Sequence, residues 1–451
     1  MRVFAACGSC RKFLGALLLG LAVAAPTAHA NTPDSVTIPL KLLHVSGLFR
    51  LGIDVSIGGA PAKTYLLDTG SEPFFSGYFS GAGWWGNFTD TGLSGNYGYT
   101  GGVSYNYEVV TANLTLGGNA SATAPNVAIG QIIAQSLNGT VQPQFVTNMQ
   151  AGLPPLSNAF WGTLGAGLDP AANGLFTILG QMPGNLSTGF IVHTGGRGGS
   201  PTLTLGLTDA VRATFPMQVP MEGRNTTLPF PNSNQPTYLL RLLAGQIQLA
   251  DGKNPYAVVV PVILDTGDPN SVLTQDSHVT VPSSLIKNGS LVTGASFGLS
   301  AQGQPGSINW VWNFITGQLV SNNAVNVVPT GGGTLNTGLS PFFSYDVMFD
   351  LKNGVIGFKA LPPPYVKLTV AGADKITTTK DKITLHGTAT ASSYVTFVGV
   401  GVAGRPFQNA TGTAHWTATV PLQMGLNNIL VRAHSIDGLT TPTQKIAVRR
   451  F

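Results

Sequence analysis

The sequence has little charge and almost no cysteine. Of its 451 residues only 9% are Asp, Glu, Lys or Arg, and the two cysteines stand at positions 7 and 10. A long helical or coiled-coil protein would need far more Glu, Lys and Ala, and an acidic disordered chain would have fewer apolar residues, so both classes are excluded. Apolar residues make up 43%, with 58 Gly and 30 Pro. This balance predicts a turn-rich globular protein built mainly of β-strands.

The N-terminal residues have the pattern of a secretory signal peptide. Three basic residues precede an apolar run at 13–25, and small residues at 28 and 30 suit a signal peptidase. We expect residues 1–30 to be removed and the protein to be secreted or periplasmic. The run is too short to cross a bilayer, and no other stretch approaches the ~20 apolar residues needed, so stable membrane insertion is not expected.

The mature chain predicted in this way contains no thiol, because both cysteines precede the apolar run. Disulfides, Cys-bound metals and thiol catalysis are therefore excluded. The histidines after residue 30 show no His-x-x-x-His or comparable spacing. No metal site and no cofactor are expected.

Charge is unevenly distributed along the chain. Residues 31–360 carry 11 Lys or Arg against 15 Asp or Glu, and residues 361–451 carry nine against three. The basic residues of the tail are dispersed rather than clustered, which is typical of a solvated β-domain surface and does not favour nucleic-acid binding.

Short alternating or apolar stretches bounded by Gly, Asn and Pro recur along the chain and predict strands. In the first 360 residues they lie at 50–57, 60–67, 106–116, 202–207, 238–249 and 256–264. A stiff linker is predicted at 361–364, because successive prolines favour an extended backbone. Beyond it, strands at 366–370, 383–388, 394–400, 414–420, 428–433 and 445–448 predict a small β-sandwich over 365–451 that resembles immunoglobulin-like modules in its pattern.

One three-residue word, Asp-Thr-Gly, occurs twice in matching surroundings. With the residue that follows, the copies are Asp68, Thr69, Gly70, Ser71 and Asp265, Thr266, Gly267, Asp268. Each follows an apolar strand, where a carboxylate is costly to bury unless a partner shares its charge or hydrogen-bonds to it. We therefore expect the two words to face each other.

The pair of words resembles the bilobal aspartic peptidases of the pepsin family, in which each lobe contributes one catalytic aspartate. Further resemblances follow in the family's order at 162–167, 202–209, 238–252 and 338–358. The resemblance implies a mainly all-β, bilobal pepsin-like double-ψ β-barrel fold. Its N-terminal lobe would span 31–222 and its C-terminal lobe 223–361, with the small sandwich after them.

The resemblance also implies a role for each residue of the two words. Asp68 and Asp265 would share a proton and one water, and would hydrolyse a peptide bond by general acid–base catalysis. The two threonines would brace the loops, and the two glycines would let the backbone approach closely and donate N–H groups to the carboxylates. Ser71 fits as a hydrogen-bond partner of Asp68.

Members of the family also fold a β-hairpin flap over the cleft, with a tyrosine near its tip. Tyr97 and Tyr99 stand at the corresponding place, and Tyr97, which is followed by a glycine, matches better. Such a hairpin would exclude water and hydrogen-bond an extended polypeptide substrate.

Two positions depart from the family pattern. Asp268 stands where Thr or Ser is usual, and a third carboxylate would raise the local proton affinity unless it points away or is protonated. Glu72 is unusual after the first word, where Phe75 could replace the family's aromatic residue.

The leading hypothesis is a secreted, monomeric aspartic-type endopeptidase that acts on polypeptides. The alternative is a catalytically impaired pepsin-like protein that binds a protein or a polysaccharide. A contact with a cell surface or a glycan through residues 365–451 stays open beside both.

Overall fold

The computed structural model describes residues 33–451 except 171, 240–242, 251–254, 318–322, 373–374 and 437. The predicted signal peptide at 1–30 lies outside the described residues, as does part of the strand predicted at 238–249. The prediction of a mainly all-β chain is confirmed, because the described strands form five sheets and the helices between them are short. No helix in the described ranges has the length and apolarity that crossing a membrane requires.

The first half of the chain supplies strands β1 to β13 and both described α-helices. The strands are β1 (Val36–Pro39), β2 (Lys41–Val45), β3 (Leu48–Ile57), β4 (Lys63–Asp68), β5 (Phe74–Gly77), β6 (Thr89–Gly98), β7 (Val103–Leu116), β8 (Thr123–Leu137), β9 (Thr140–Val141), β10 (Gly162–Gly165), β11 (Phe190–His193), β12 (Thr202–Leu205) and β13 (Met217–Pro220). The α-helices are α1 (Pro143–Gln150) and α2 (Asp209–Arg212). Single 3₁₀ turns lie at Ala120–Ala122, Ala172–Gly174, Leu179–Gln181 and Gly184–Ser187.

Six strands of this half close into a ring. β4 pairs with β3 and, in parallel, with β10, while β10 pairs with β5 and β5 runs parallel to β8. β8 then pairs with β7, and β7 returns to β3. Closure satisfies backbone groups that an open sheet would leave at its edges. Leu51, Leu67 and Leu164, from three of these strands, are completely buried.

The second half repeats the central pairings. Its strands are β14 (Leu243–Ala250), β15 (Pro255–Ile263), β16 (Ser271–Thr274), β17 (Ile286–Lys287), β18 (Ser290–Leu291), β19 (Ser296–Ala301), β20 (Trp310–Ile315), β21 (Val325–Val328), β22 (Leu335–Asn336), β23 (Tyr345–Asp350) and β24 (Val355–Ala360), with 3₁₀ turns at Ser283–Leu285 and Ser340–Phe343. β15 runs parallel to β22, β22 pairs antiparallel with β16, and β16 runs parallel to β21. This is the order found in β4, β10, β5 and β8.

A six-stranded sheet joins the two halves in the order β1-β12-β11-β23-β24-β13. Phe190 of β11 stacks on Phe349 of β23, with ring centroids 4.7 Å apart. Arg212 donates from Nε to Oδ2 of Asp350 at 2.7 Å, and the carboxylate is 1% exposed. Removing Arg212 would leave the buried carboxylate of Asp350 without its cation, so the ion pair ties the two halves together.

The tail forms two further sheets around a separate core. Its strands are β25 (Val366–Val370), β26 (Lys375–Thr378), β27 (Lys382–Ala391), β28 (Val395–Val402), β29 (Gln408–Asn409), β30 (His415–Pro421), β31 (Gly425–Ser435) and β32 (Gln444–Arg450). β25, β27 and β30 form one sheet, and the other five strands form the second. Leu385, Trp416 and Val431 belong to a buried cluster distinct from that of the preceding residues. The domain boundaries and the immunoglobulin-like character stay predictions.

Candidate active site

The two Asp-Thr-Gly words lie at matching places in the two repeated sheets. Asp68 is the last residue of β4, where Gly165 of β10 is its neighbour in register. Asp265 follows two residues after the end of β15. The two carboxylates are 5% and 8% exposed, respectively. The residue directly before each aspartate, Leu67 in the first word and Leu264 in the second, is completely buried, which accounts for the low exposure of both acids.

The threonines of the two words bind each other's loops reciprocally. The backbone N–H of Thr69 donates to Oγ1 of Thr266 at 3.1 Å, and that of Thr266 donates to Oγ1 of Thr69 at 3.0 Å. Each hydroxyl then donates across to the other half. Thr69 reaches the carbonyl oxygen of Leu264 at 2.6 Å, and Thr266 reaches that of Leu67 at 2.7 Å. Four buried hydrogen bonds therefore hold the loops face to face.

The glycines of the two words allow the loops to approach closely. A Cβ atom on Gly70 would lie 2.3 Å from Cγ of Asp265, and one on Gly267 would lie 2.3 Å from Cγ of Asp68. Each glycine N–H also donates to the aspartate of its own word, at 2.9 Å in the first word and 2.6 Å in the second. Each glycine therefore supports one carboxylate and makes room for the other.

Burial and mutual repulsion favour a proton between the two acids. Burial raises the pKa of the Asp68 carboxyl well above its ordinary value, and the charge of Asp265 raises it further. The hydrogen bond from Ser71 opposes this increase, and a hydrogen bond between the two carboxyl groups adds to it. Two carboxyls this close cannot both ionise cheaply, so Asp68 keeps its proton to a higher pH than a free aspartate does.

A different donor holds the second oxygen of each aspartate. Ser71 donates from Oγ to Oδ2 of Asp68 at 2.6 Å. Asp268, at the equivalent place in the second word, has no hydroxyl, and Asn336 of β22 instead donates from Nδ2 to Oδ2 of Asp265 at 2.5 Å. Asn336 was not among the residues predicted from the sequence, because its closeness to Asp265 depends on the pairing of β15 with β22.

Asp268 lies beside Asp265, and its side chain caps its own turn. Its N–H donates to Oδ1 of Asp265 at 3.2 Å, and its own Oδ1 accepts the N–H of Asn270 at 3.2 Å. Burial, and after it the charge of Asp265, raises the pKa of Asp268 to about 6. A third acid with raised proton affinity therefore stands next to the pair.

One cation faces this group of acids. Arg50, on β3 of the first half, donates from Nη1 to the carbonyl oxygen of Gly267 in the second. Burial lowers the pKa of its guanidinium, and the charges of Asp268, Asp265 and, more weakly, Asp68 oppose that decrease. Arg50 belongs to no sequence motif. It lies within an alternating strand, and its relation to the second word becomes visible only when the fold brings the two together.

The predicted flap residues lie on the hairpin of β6 and β7. Tyr97 packs its ring against Phe75 at 5.2 Å and donates its hydroxyl to Oε2 of Glu72 at 3.0 Å. Tyr99 follows the end of β6, and its ring lies 5.1 Å from that of Tyr97 and 5.4 Å from that of Tyr105. The structure thus brings both tyrosines to the first word, with Tyr97 bound to the loop that follows Asp68.

The arrangement supports acid–base chemistry on water. Two buried carboxyls that share a proton can orient a water molecule, accept a proton from it and polarise a carbonyl group at the same time. Within the residues that the structure describes, no group of three or more His, Cys, Asp or Glu side chains is arranged to hold a metal ion.

No protein-family model matches the chain, and no curated protein matches it either. Among solved structures, the chain is similar to the aspartic proteinase from Irpex lacteus, with 16% sequence identity and a TM-score of 0.46. The similarity covers 72% of this chain and 97% of that one.

Proposed function

We propose that the protein is an aspartic-type endopeptidase that hydrolyses peptide bonds with a water held between Asp68 and Asp265. The observation that carries this proposal is the reciprocal contact of the two words. Each threonine binds the opposite loop, and each glycine leaves room for the opposite carboxylate. A pair of unrelated turns after strands would not account for contacts in both directions.

The chemistry follows from a pair that carries one proton. The ionised carboxylate removes a proton from water as the water oxygen attacks the carbonyl carbon of the peptide. The protonated carboxyl donates a hydrogen bond to the carbonyl oxygen, on which negative charge develops. When the C–N bond breaks, the leaving nitrogen takes a proton from the pair. No covalent intermediate and no cofactor enter these steps.

The remaining residues serve this pair in the proposal. Ser71 and Asn336 orient the two carboxylates through their second oxygens. Arg50 offsets part of the negative charge that Asp268 adds. The β6–β7 hairpin is the flap, with Tyr97 and Tyr99 near its tip, and it would cover an extended polypeptide in the cleft.

The same proposal includes the organisation expected from the sequence. Residues 31–222 and 223–361 would be the two lobes, and residues 365–451 an appended immunoglobulin-like module. Export by a signal peptide at 1–30, to a periplasm or to the outside, belongs to the proposal as well.

Hydrolysis of a denatured protein between pH 3 and 7 tests the function. We expect cleavage that a statine-type inhibitor blocks, and a loss of about 10³-fold or more in Asp68→Asn and in Asp265→Asn. Asp381→Asn, at an exposed position in the tail, is the matched control and should cleave normally. Cleavage that survives both active-site substitutions would refute the proposal. Binding of a protein or polysaccharide without turnover would instead support the impaired binding protein.

A further inference from the structure

The flap hairpin is weakly attached to the rest of the molecule along its outer strand. β6 lies at the end of its sheet and pairs with β7 alone among the described strands. Its ladder is interrupted between Asp90 and Leu93, and the side chains of its first six residues are exposed. Asn173 donates to the carbonyl oxygen of Ser94 at 3.2 Å near the middle of the strand. The backbone of the tip is bonded to β7 and, through Gly102, to the N–H of Asn138, while its approach to the first word depends on side-chain contacts.

Tyr97 joins the hairpin to the loop of the first word. Its hydroxyl donates to Glu72, which is 7% exposed and follows directly after Ser71. Ser71 in turn donates to Asp68. A short chain of hydrogen bonds and backbone therefore runs from the first aspartate to the flap. Burying a carboxylate costs free energy unless hydrogen bonds replace its contacts with water, and Tyr97 supplies such a hydrogen bond to Glu72.

We propose that Glu72 is a positioning residue for the flap: Glu72 binds the Tyr97 hydroxyl, and binds it more tightly when its carboxyl group is ionised. The name flap, and any effect on substrate, rest on the proposed function. The contact itself and its response to pH do not depend on it.

The charge state of Glu72 sets the strength of this contact. A phenol donates a stronger hydrogen bond to a carboxylate than to a neutral carboxylic acid. Among the described residues, the other ionisable groups near Glu72 and Tyr97 are Asp169 in the loop after β10, Asp68 at the end of β4 and Tyr99 on the hairpin.

Those neighbours place the change of charge near neutral pH. Burial raises the pKa of Glu72 to about 7; the hydrogen bond from Tyr97 opposes this increase, and the charge of Asp169 adds to it. Glu72 is therefore neutral at acidic pH, where its hydrogen bond with Tyr97 is weaker, and ionised above about pH 7, where that hydrogen bond is stronger. A flap that is held down more firmly should admit and release substrate less easily, so the expected kinetic effect is on KM more than on kcat.

Backbone hydrogen exchange of the full chain measures directly, without substrate, how firmly the contact between Tyr97 and Glu72 fixes the hairpin. The quantity to follow is the protection factor of amides at 95–104, corrected for the intrinsic effect of pH, between pH 5.5 and 8.5. We expect protection in the wild type to rise about threefold to tenfold across this range. In Glu72→Gln, which keeps an acceptor oxygen but does not titrate, protection should be independent of pH.

Tyr97→Phe keeps the ring and its packing on Phe75 but removes the donor. Protection should then be low and independent of pH, and adding Glu72→Gln should change it no further. Glu108→Gln alters an exposed glutamate on the same hairpin and is the matched control, with wild-type behaviour expected.

Two outcomes would overturn the proposal. One is a Glu72→Gln protein whose protection still rises with pH as in the wild type. The other is a Tyr97→Phe protein that still responds to Glu72→Gln. Neither outcome depends on whether the protein cleaves peptides, so failure of this proposal can be told apart from failure of the proposed function.

Discussion

The two halves of the molecule place their aspartates in the same arrangement of strands but bind them with different hydrogen-bond donors. In both, the strand that leads into the word runs parallel to one neighbour, which pairs antiparallel with the next. In the first half Ser71, three residues after Asp68, binds the second carboxylate oxygen. In the second half Asp268 carries no alcohol group, and Asn336 binds that oxygen of Asp265 from the neighbouring strand. The second carboxylate oxygen is therefore hydrogen-bonded in both halves, by a donor from the loop in the first and by a donor from the neighbouring strand in the second.

The pairing registers show why Asn336 can replace a hydroxyl group. It stands opposite Ile263, two residues before Asp265. Thr163 stands opposite Leu66, two residues before Asp68, and so occupies the same place in the first half. In the second half, the side chain at this register position reaches the carboxylate of Asp265.

The halves also differ in charge. The second word carries an additional acid, Asp268, while the first half contributes Arg50, which binds the backbone of the second word. The extra negative charge and the cation lie on opposite sides of the interface between the halves. The charged residues around the candidate pair thus come from both halves.

Among the changes that probe the approach of the two halves, the largest effect is expected from filling the space between the words. Gly70→Ala and Gly267→Ala would each place a methyl group 2.3 Å from the opposite carboxyl carbon. We expect peptide hydrolysis to fall more than about 100-fold in both and stability to drop by about 1–3 kcal/mol. Gly83→Ala meets nothing within 4 Å and serves as control. If one half tolerated its alanine, the two halves would not approach each other symmetrically.

A smaller effect is expected from removing the donors that differ between the halves. Ser71→Ala and Asn336→Ala each leave one oxygen of a buried carboxylate without its partner. A hydrogen bond to a charged group contributes about 1.5–3 kcal/mol, so kcat should fall roughly 10- to 100-fold in each. Steady-state kinetics of the two variants at the pH of highest activity makes the measurement.

The comparison can then be sharpened by restoring a hydroxyl to the second word. Asp268→Thr places an alcohol at the position equivalent to Ser71. In the Asn336→Ala background it should recover part of the lost kcat, because a donor again lies within reach of Asp265. If kcat did not recover, the role of Asn336 would not be to donate a hydrogen bond to Asp265 in place of a hydroxyl group.

The smallest kinetic effect is expected from the charges around the pair. Asp268→Asn removes a negative charge, so the proton shared by the pair should be lost more readily and the alkaline limb of the pH–rate profile should move down by about one pH unit. Arg50→Met removes a positive charge and should move the same limb up by a similar amount. Shifts in the same direction for both variants would exclude an electrostatic origin.

The same acid makes a prediction about stability. The folded state raises the pKa of Asp268 from 3.8 to about 6, so it holds this proton more tightly than the unfolded chain does. The free energy of unfolding therefore falls as pH rises through this interval. Asp268→Asn should stabilise the protein by up to about 3 kcal/mol at pH 7 and leave stability unchanged below pH 3.5. Denaturant unfolding at both pH values, with Asp381→Asn as control, measures the difference.

Strand positions and the two words could be predicted from the sequence because they depend on local alternation and on a repeated motif. The strand expected at 366–370 is β25 without change, and that expected at 256–264 is β15 shifted by one residue. Arg50 and Asn336 could not be predicted, since their relation to the words depends on which strands pair and in which register. The sheet shared by both halves was missed for the same reason.

The central claim is that Asp68 and Asp265 share one proton, and carboxyl ¹³C titration of aspartate-labelled protein tests it directly. The wild type should show two coupled steps for these groups, one of them well above the ordinary range of aspartate. In Asp265→Asn the remaining Asp68 should titrate in a single step at lower pH, because the repelling charge is gone. An Asp68 titration that is the same with and without Asp265 would contradict the account.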